Sequence, residues 1–181
     1  TLWSPEGIAL DSDRNFLYVS DTYNGRILVY NVAIIDNGQE AVKVLGQSAL
    51  NLRNNIGVGI NKLWEPRGIA YNSSNKNLAI ADTQNSRVVI YDLNAIDNGE
   101  DAIKVLGQID FSGRGRNRGD ENTMVAGPVN AGSLNTPYAV TYNITDNFLY
   151  VVDYGSSRVV VYDMSIVTNG EDAVNVLGQI D

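Results

Sequence analysis

The sequence predicts an all-β fold of three similar units, each with four short antiparallel strands. Three observations carry this prediction. Four short motifs recur in the same order three times along the 181 residues. Runs rich in Val, Ile, Leu and Tyr are separated by clusters of Asn, Asp and Gly, as strands are separated by turns. The second and third runs of each unit are apolar at nearly every position, which indicates sheets that are covered on both faces.

The four motifs define the repeat. The first reads "WSPEGIA", "WEPRGIA" and "NTPYAVT", and the second is a turn that runs from an aspartate to an arginine five residues later. The third is "DNG", "DNG" and "TNG" at 36–38, 97–99 and 168–170, and the fourth is "VLGQ" at 44–47, 105–108 and 176–179. Each motif shifts by 61 residues from the first unit to the second and by 71 from the second to the third. Insertions are therefore confined to the segments that follow "VLGQ".

The strands of each unit can be read in order. The first unit gives "GIALD", "FLYVSD", "RILVYN" and "AVKVLG"; the second gives "GIAYN", "NLAIAD", "RVVIYD" and "AIKVLG"; the third gives "AVTYN", "FLYVVD", "RVVVYD" and "AVNVLG". Four-stranded antiparallel units repeated around an axis are typical of the β-propeller. We therefore predict one propeller segment, with blades at 2–47, 63–108 and 134–179 and linkers at 48–62 and 109–133.

The run of Pro-x-Gly, an apolar strand, "LYVSDTYNGRILVYN" and a closing "VLG" resembles the NHL repeat, and the long linkers resemble those of bacterial NHL proteins. The third unit departs from the pattern, with Ala139 where the others have Gly7 and Gly68, and with 155–157 changed in the turn. The resemblance implies a propeller in which the aspartate and arginine of each turn are structural. These six residues are Asp21, Arg26, Asp82, Arg87, Asp153 and Arg158.

Three blades do not complete a ring, because propellers have about four to eight. We expect further blades of the same chain or a second copy of it to complete the ring, and two copies would give the six blades common among NHL propellers. The opening Thr1 and the closing "VLGQID" indicate a piece of a longer or processed protein.

The connections of a four-stranded meander predict which residues share a face. The Asp–Arg turns lie on the same side as the long linkers, together with the residue after each first-motif proline: Glu6, Arg67 and Tyr138. These three differ between blades and form a candidate rim for a protein or glycan ligand. The second linker adds a basic cluster of Arg114, Arg116 and Arg118, which suits the acidic surface of a neighbouring subunit, or a phosphate or nucleic acid, or is a solvated loop.

The opposite side of the propeller carries two N-x-S/T sequons after first strands, at Asn72 and Asn143. We expect both to be exposed there, which suits a glycosylated protein outside the cell or at its surface. Asn-Gly in the third motif is explained by the positive-φ residues that tight turns require.

Composition limits the chemistry. The net charge of −8 disfavours nucleic acid as the main partner, and no run approaches the length of a membrane span. Histidine and cysteine are absent, which removes the usual triads and zinc ligands. We assign no catalytic residue, metal or cofactor. The sequence favours a non-enzymatic extracellular scaffold or binding module that self-assembles into a ring or fibre. The alternative is a calcium-dependent hydrolase or lactonase-like propeller with an axial site, to which only Glu6 contributes here.

Overall fold

The computed structural model describes residues 1–53, 56–120 and 125–179, and these form three four-stranded antiparallel sheets. The first sheet contains β1 (Pro5–Asp11), β2 (Phe16–Asp21), β3 (Arg26–Asn31) and β4 (Lys43–Leu45). The second contains β5 (Pro66–Asn72), β6 (Asn77–Asp82), β7 (Arg87–Asp92) and β8 (Lys104–Leu106). The third contains β9 (Pro137–Asn143), β10 (Phe148–Asp153), β11 (Arg158–Asp163) and β12 (Asn175–Leu177). The predicted all-β fold of four-stranded blades is confirmed.

Each sheet is a simple meander in which every strand pairs with the next along the chain. We call the sheets blades 1, 2 and 3. A 3₁₀ turn of three residues joins the second and third strands of each blade, at Thr22–Asn24, Thr83–Asn85 and Tyr154–Ser156. Within the described residues, no helical segment is long and apolar enough to cross a membrane.

A bulge interrupts the first strand of each blade just after its proline. In blade 1, Pro5 pairs with Asp21 and Ile8 with Val19, so that two residues of β1 lie opposite one residue of β2. β5 shows the same shift after Pro66, and β9 shows a shift at its proline. Bulges re-aim side chains at the edges of sheets, and here they fall at the three candidate rim positions.

Consecutive blades pack face to face through two apolar cores. In the first core, Tyr18 and Ile27 of blade 1 meet Ile80 and Tyr91 of blade 2. In the second, the opposite face of blade 2 meets blade 3, including Tyr162. Each blade therefore has an incoming face, on the side of the blade before it in the order of the chain, and an outgoing face on the other side; blade 2 packs through both. Alternating side chains of one strand serve the two faces, so the central strands are apolar throughout.

Candidate functional site

The Asp–Arg turn of blade 2 is a fully buried polar hub. The Arg87 Nε donates to Asp82 Oδ2 at 2.7 Å, and neither side chain is exposed. The same carboxylate accepts from Asn85 Nδ2 at 2.8 Å and from the Trp64 backbone N–H at 2.7 Å. Burial raises the pKa of Asp82, while the Arg87 guanidinium and these donors oppose that shift.

The rest of the Arg87 guanidinium binds the two long linkers. Its Nη1 donates to the carbonyl of Phe111 at 2.7 Å, and its Nη2 donates to the carbonyls of Gly59 and Lys62 at 2.8 and 2.9 Å. The fixed fork of donors suits this arrangement, because a planar guanidinium can serve several acceptors at once. Arg87 therefore joins the linker before blade 2 to the linker after it.

Blades 1 and 3 repeat the hub. Arg26 bonds to Asp21 at 2.7 Å and to the carbonyls of Leu50 and Leu52. Arg158 bonds to Asp153 at 2.8 Å and to two carbonyls of the second linker. The structure thus places all six turn residues in the interior, where each pair orders its own blade and an adjacent linker.

The three rim positions are brought into direct contact. Arg67 Nη1 lies 2.5 Å from Glu6 Oε2 and 3.1 Å from the Tyr138 hydroxyl, which donates to the same Glu6 oxygen at 3.1 Å. The Arg67 guanidinium also stacks on the Tyr138 ring, with its Cζ 4.8 Å from the centroid. Glu65 adds a second carboxylate to Arg67 at 3.3 Å. One residue from each blade therefore forms a single polar network.

Exposed aromatic pairs flank this network. Trp3 and Tyr23 lie edge to face with their ring centroids 5.6 Å apart, and Tyr138 and Tyr154 lie 5.9 Å apart. All four rings are exposed. Tyr23 and Tyr154 belong to the 3₁₀ turns, so the pairs lie on the side of the propeller that carries the turns. This surface, the turn face, combines the rim network with accessible aromatic area.

The three arginines of the second linker differ in their surroundings. Arg116 is exposed, whereas Arg118 is partly buried and its Nη2 donates to the carbonyl of Gly170 in blade 3 at 2.7 Å. Arg114 is also partly buried. At least one member of the predicted cluster therefore serves the junction between the linker and blade 3. Of this linker, residues 121–124 lie outside the described part, as do residues 54–55 of the first linker.

The two sequons differ in accessibility. Asn143 is partly exposed and donates to Asp146 at 2.8 Å, but Asn72 is only 1% exposed and its Oδ1 accepts from the Ser74 backbone. The expectation that Asn72 is exposed is therefore wrong. Asn72 ends β5 in the middle blade, which is packed on both sides, whereas Asn143 ends β9 in a blade that has only one neighbour here.

A contact that the sequence reasoning missed joins consecutive blades at their outer strands. The Val44 N–H donates to Asn98 Oδ1 at 2.9 Å, and the Gly99 N–H donates to the Val44 carbonyl at 3.2 Å. Asn169 and Gly170 make the same two bonds to Val105, at 3.1 and 3.0 Å. We call this contact the clasp. The recurring Asn-Gly pair is the sequence feature that could have indicated this contact. The requirements of a tight turn already explained the pair, so no second role was predicted for it.

The described residues contain no group of three or more acidic side chains arranged to hold a metal ion. Glu6, the axial carboxylate that the sequence offered to a calcium site, is paired with Arg67. A cation at this position would have to compete with that pairing.

A family model for the NHL repeat matches residues 2–30 and 63–91, which span the first three strands of blades 1 and 2. No curated protein matches the chain. Among solved structures, hydrazine synthase of Kuenenia stuttgartiensis is similar with a TM-score of 0.54 and 12% identity over 91% of this chain. A structure of U3-55K is similar with a TM-score of 0.59 and 11% identity over 96%. The chain spans 35% and 39% of those two chains. Both are β-propeller proteins, and at these identities the likeness shows the fold alone.

Proposed function

We propose that this β-propeller chain, whose blades 1 and 2 match the NHL-repeat model, is a non-enzymatic scaffold that assembles with further blades through the two ends of its three-blade arc. A binding or scaffold role in general is what the NHL propeller fold supports. The observation that carries the finer proposal is the pair of end faces. The incoming face of blade 1 and the outgoing face of blade 3 have the strand pattern of the two packed junctions, but no blade of the described residues packs on either of them.

Both end faces expose apolar side chains. Leu2 and Ile8 are exposed on blade 1, although the matching residues of blade 2, Leu63 and Ile69, are buried. On blade 3, Val152 and Leu177 are exposed beside a cleft of about 480 Å³ that they help to line. Contiguous exposed apolar surface of this kind marks interaction sites, and each buried leucine-sized side chain contributes about 1.5–3 kcal/mol.

The mass and shape of the native particle test this proposal. Light scattering across a concentration series, followed by negative-stain imaging, distinguishes a 19.7 kDa monomer from a ring or a fibre. We expect assembly to at least two copies. A particle that stays monomeric over a concentration range of about 100-fold around micromolar levels would contradict the scaffold proposal, because its end faces would then be stable in water.

The turn face supports a second proposal, a contact surface for a protein or glycan ligand. Tyrosine and tryptophan supply large contact area with few rotatable bonds and are enriched at binding hot spots. Trp3 is one of two tryptophans and is exposed, so it reports on binding directly. Titration with a panel of soluble oligosaccharides should change the tryptophan fluorescence of the protein. The W3F variant serves as the control that lacks the reporter.

We further propose that the protein functions outside the cell or at its surface, with support from the partly exposed sequon at Asn143. Detection of the protein in culture medium and in cell extract would test this location. The hydrolase alternative gains no support from the rim, where Arg67 already neutralises Glu6. A thermal shift on addition of calcium, lost in Glu6→Gln, would reopen that alternative.

A further inference from the structure

The clasp pairs the edge strand of one blade with two residues of the next blade. β4 and β8 are the outermost strands of their sheets, so one side of each strand has backbone groups without a partner in the sheet. In the clasp, one Asn-Gly pair of the next blade binds both the N–H and the carbonyl of one valine in the edge strand. Natural sheets protect such edges by covering them. The clasp therefore seals the outer rim of each junction while the apolar cores fill its interior.

One half of a clasp is free at each end of the arc. Asn37 and Gly38 of blade 1 are exposed, and nothing lies within 4 Å of a Cβ placed on Gly38. At the engaged Gly99 and Gly170, the Cα atoms of Ser48 and Ile109, which directly follow the preceding blade, lie 2.9 and 3.1 Å from that position. Gly38 has φ 75°, against 76° and 72° in the engaged pair. The free half is thus already in the conformation that binds.

The receiving half is free on blade 3. β12 is the outer strand there, and its Val176 matches Val44 and Val105. Leu177 beside it is 52% exposed, whereas Leu106 at the same position of blade 2 is fully buried. The loop that leads to the free Asn-Gly pair shows the same contrast, because Ile35 is 77% exposed and its counterpart Val167 is 8% exposed.

The inner part of this free junction has a different shape. Val152 stands where blades 1 and 2 have Ser20 and Ala81, and Tyr154 stands where they have Thr22 and Thr83. The two threonine hydroxyls donate to the carbonyls of Pro66 and Pro137 in the next blade, at 2.8 and 2.7 Å. A blade that packs on blade 3 meets a valine and a tyrosine ring there instead. This junction therefore lacks the threonine-to-carbonyl bond of the internal ones.

We propose that a second copy of the chain binds head to tail, with Asn37 and Gly38 of one copy clasping Val176 of the other. This inference rests on the self-assembly proposed above and names the contact that drives it. It continues an interface that the chain already makes twice, and both of its halves are present on one chain. A head-to-tail contact closes when its rotation allows, and two such contacts between two copies would join six blades.

Two substitutions test the clasp without disturbing the internal junctions. Asn37→Ala removes the acceptor at the free end and should weaken dimerisation roughly tenfold or more, because a ring of two copies contains the contact twice. Asn175→Lys should strengthen it roughly two- to five-fold. Position 175 matches Lys43, whose Nζ lies 3.0 Å from Asp97 across the first junction, and Asp36 of the second copy would take the place of Asp97.

Sedimentation equilibrium on the 181-residue chain gives the dissociation constants. Asn98→Ala is the matched control, because it removes the same acceptor from an engaged clasp. That variant should lower the melting temperature of the protein, whereas Asn37→Ala, measured at a dilution where the chain is monomeric, should leave it unchanged. Assembly of the wild type with no effect of either Asn37→Ala or Asn175→Lys would overturn the clasp and leave the scaffold proposal intact. A wild type that is monomeric throughout would overturn both.

Crosslinking tests the direction of the contact. The chain has no cysteine, so Asp36→Cys and Asn175→Cys introduce unique thiols. A short bismaleimide should join the two variants when they are mixed and should join neither variant to itself. Crosslinking of Asp36→Cys to itself would overturn the head-to-tail arrangement. In the double variant, which carries both thiols, a ladder of species beyond the dimer would overturn the two-copy ring.

Discussion

Replacement of Arg87 by methionine should destabilise the protein more than any other change at a turn. The substitution removes the cation that is paired with the fully buried Asp82, and it leaves three carbonyls, at Gly59, Lys62 and Phe111, without their donor. Loss of one partner of a buried ion pair costs about 3–5 kcal/mol. For a chain of this length, that corresponds to a fall of about 6–20 °C in melting temperature.

A second substitution, Asp82→Asn, tests whether the unpaired buried charge causes this loss of stability. It removes the buried charge that Arg87→Met leaves unpaired, so the double variant should be more stable at pH 7 than Arg87→Met alone. Burial raises the pKa of Asp82, and removal of the guanidinium takes away the charge that opposes that shift. A raised pKa in the folded state favours folding below the ordinary carboxyl pKa, and this advantage is lost as pH rises. Arg87→Met should therefore recover stability relative to the double variant between pH 7 and pH 4.

Differential scanning calorimetry and urea denaturation of the four proteins of this cycle provide the measurement. Arg116→Met is the matched control, because Arg116 is an exposed arginine of the adjacent linker and its loss should change stability by no more than about 0.5 kcal/mol. A cost below about 1 kcal/mol for Arg87→Met, or equal melting temperatures for Arg87→Met and the double variant at every pH, would refute the role of the hub.

Three further predictions concern packing, ionisation and modification. Gly7→Ala should lower the free energy of unfolding in urea by about 1–3 kcal/mol, because the added Cβ would overlap a backbone carbonyl of the next blade; wild-type stability in that variant would contradict the close approach of the blades. Burial raises the pKa of Tyr91 and Tyr162 well above the ordinary value, so stability should be retained below about pH 10 and lost as pH rises further. Absorbance of tyrosinate at high pH should then increase together with unfolding, and early ionisation without unfolding would count against it. In a host that glycosylates, mass spectrometry of peptides should find glycan at Asn143 and none at Asn72, since only the former is accessible in the folded state.

The fold could be predicted from the sequence because strand and turn patterns are local. The apolar runs at 16–21 and 26–31 and the Asp–Arg turn between them specify a hairpin without knowledge of the rest of the chain. The repeat spacing of 61 and 71 residues also placed Glu6, Arg67 and Tyr138 at equivalent positions. The hydrogen bonds among these three residues depend on a bulge in the first strand of each blade, and no residue type in the sequence predicts that bulge.

Contacts between segments that are distant along the chain could not be predicted from the sequence. The carbonyls that Arg87 binds are set by the backbone path of the linkers, which any residue type can follow. Asn98 and its partner valine are 54 residues apart, so local turn chemistry accounted for the Asn-Gly pair and concealed its second role. Asn72 and Asn143 occupy the same place in the repeat, and only their neighbours in space make one of them inaccessible.

The linker anchors have a consequence for how such a protein changes over generations. Arg87 and Arg158 hold the second linker by main-chain oxygens at Phe111, Asn130 and Ser133. Main-chain oxygens exist whatever the side chain, so the anchoring places no demand on the identity of the residues in between. Mutation can therefore change much of the segment from 112 to 129 while the blades remain under separate selection, provided that Asn117 and Arg118, whose side chains contact blade 3, are kept. The blades can thus stay constant through evolution while the linker sequence varies, and a new binding specificity can arise in the linker without a change of fold.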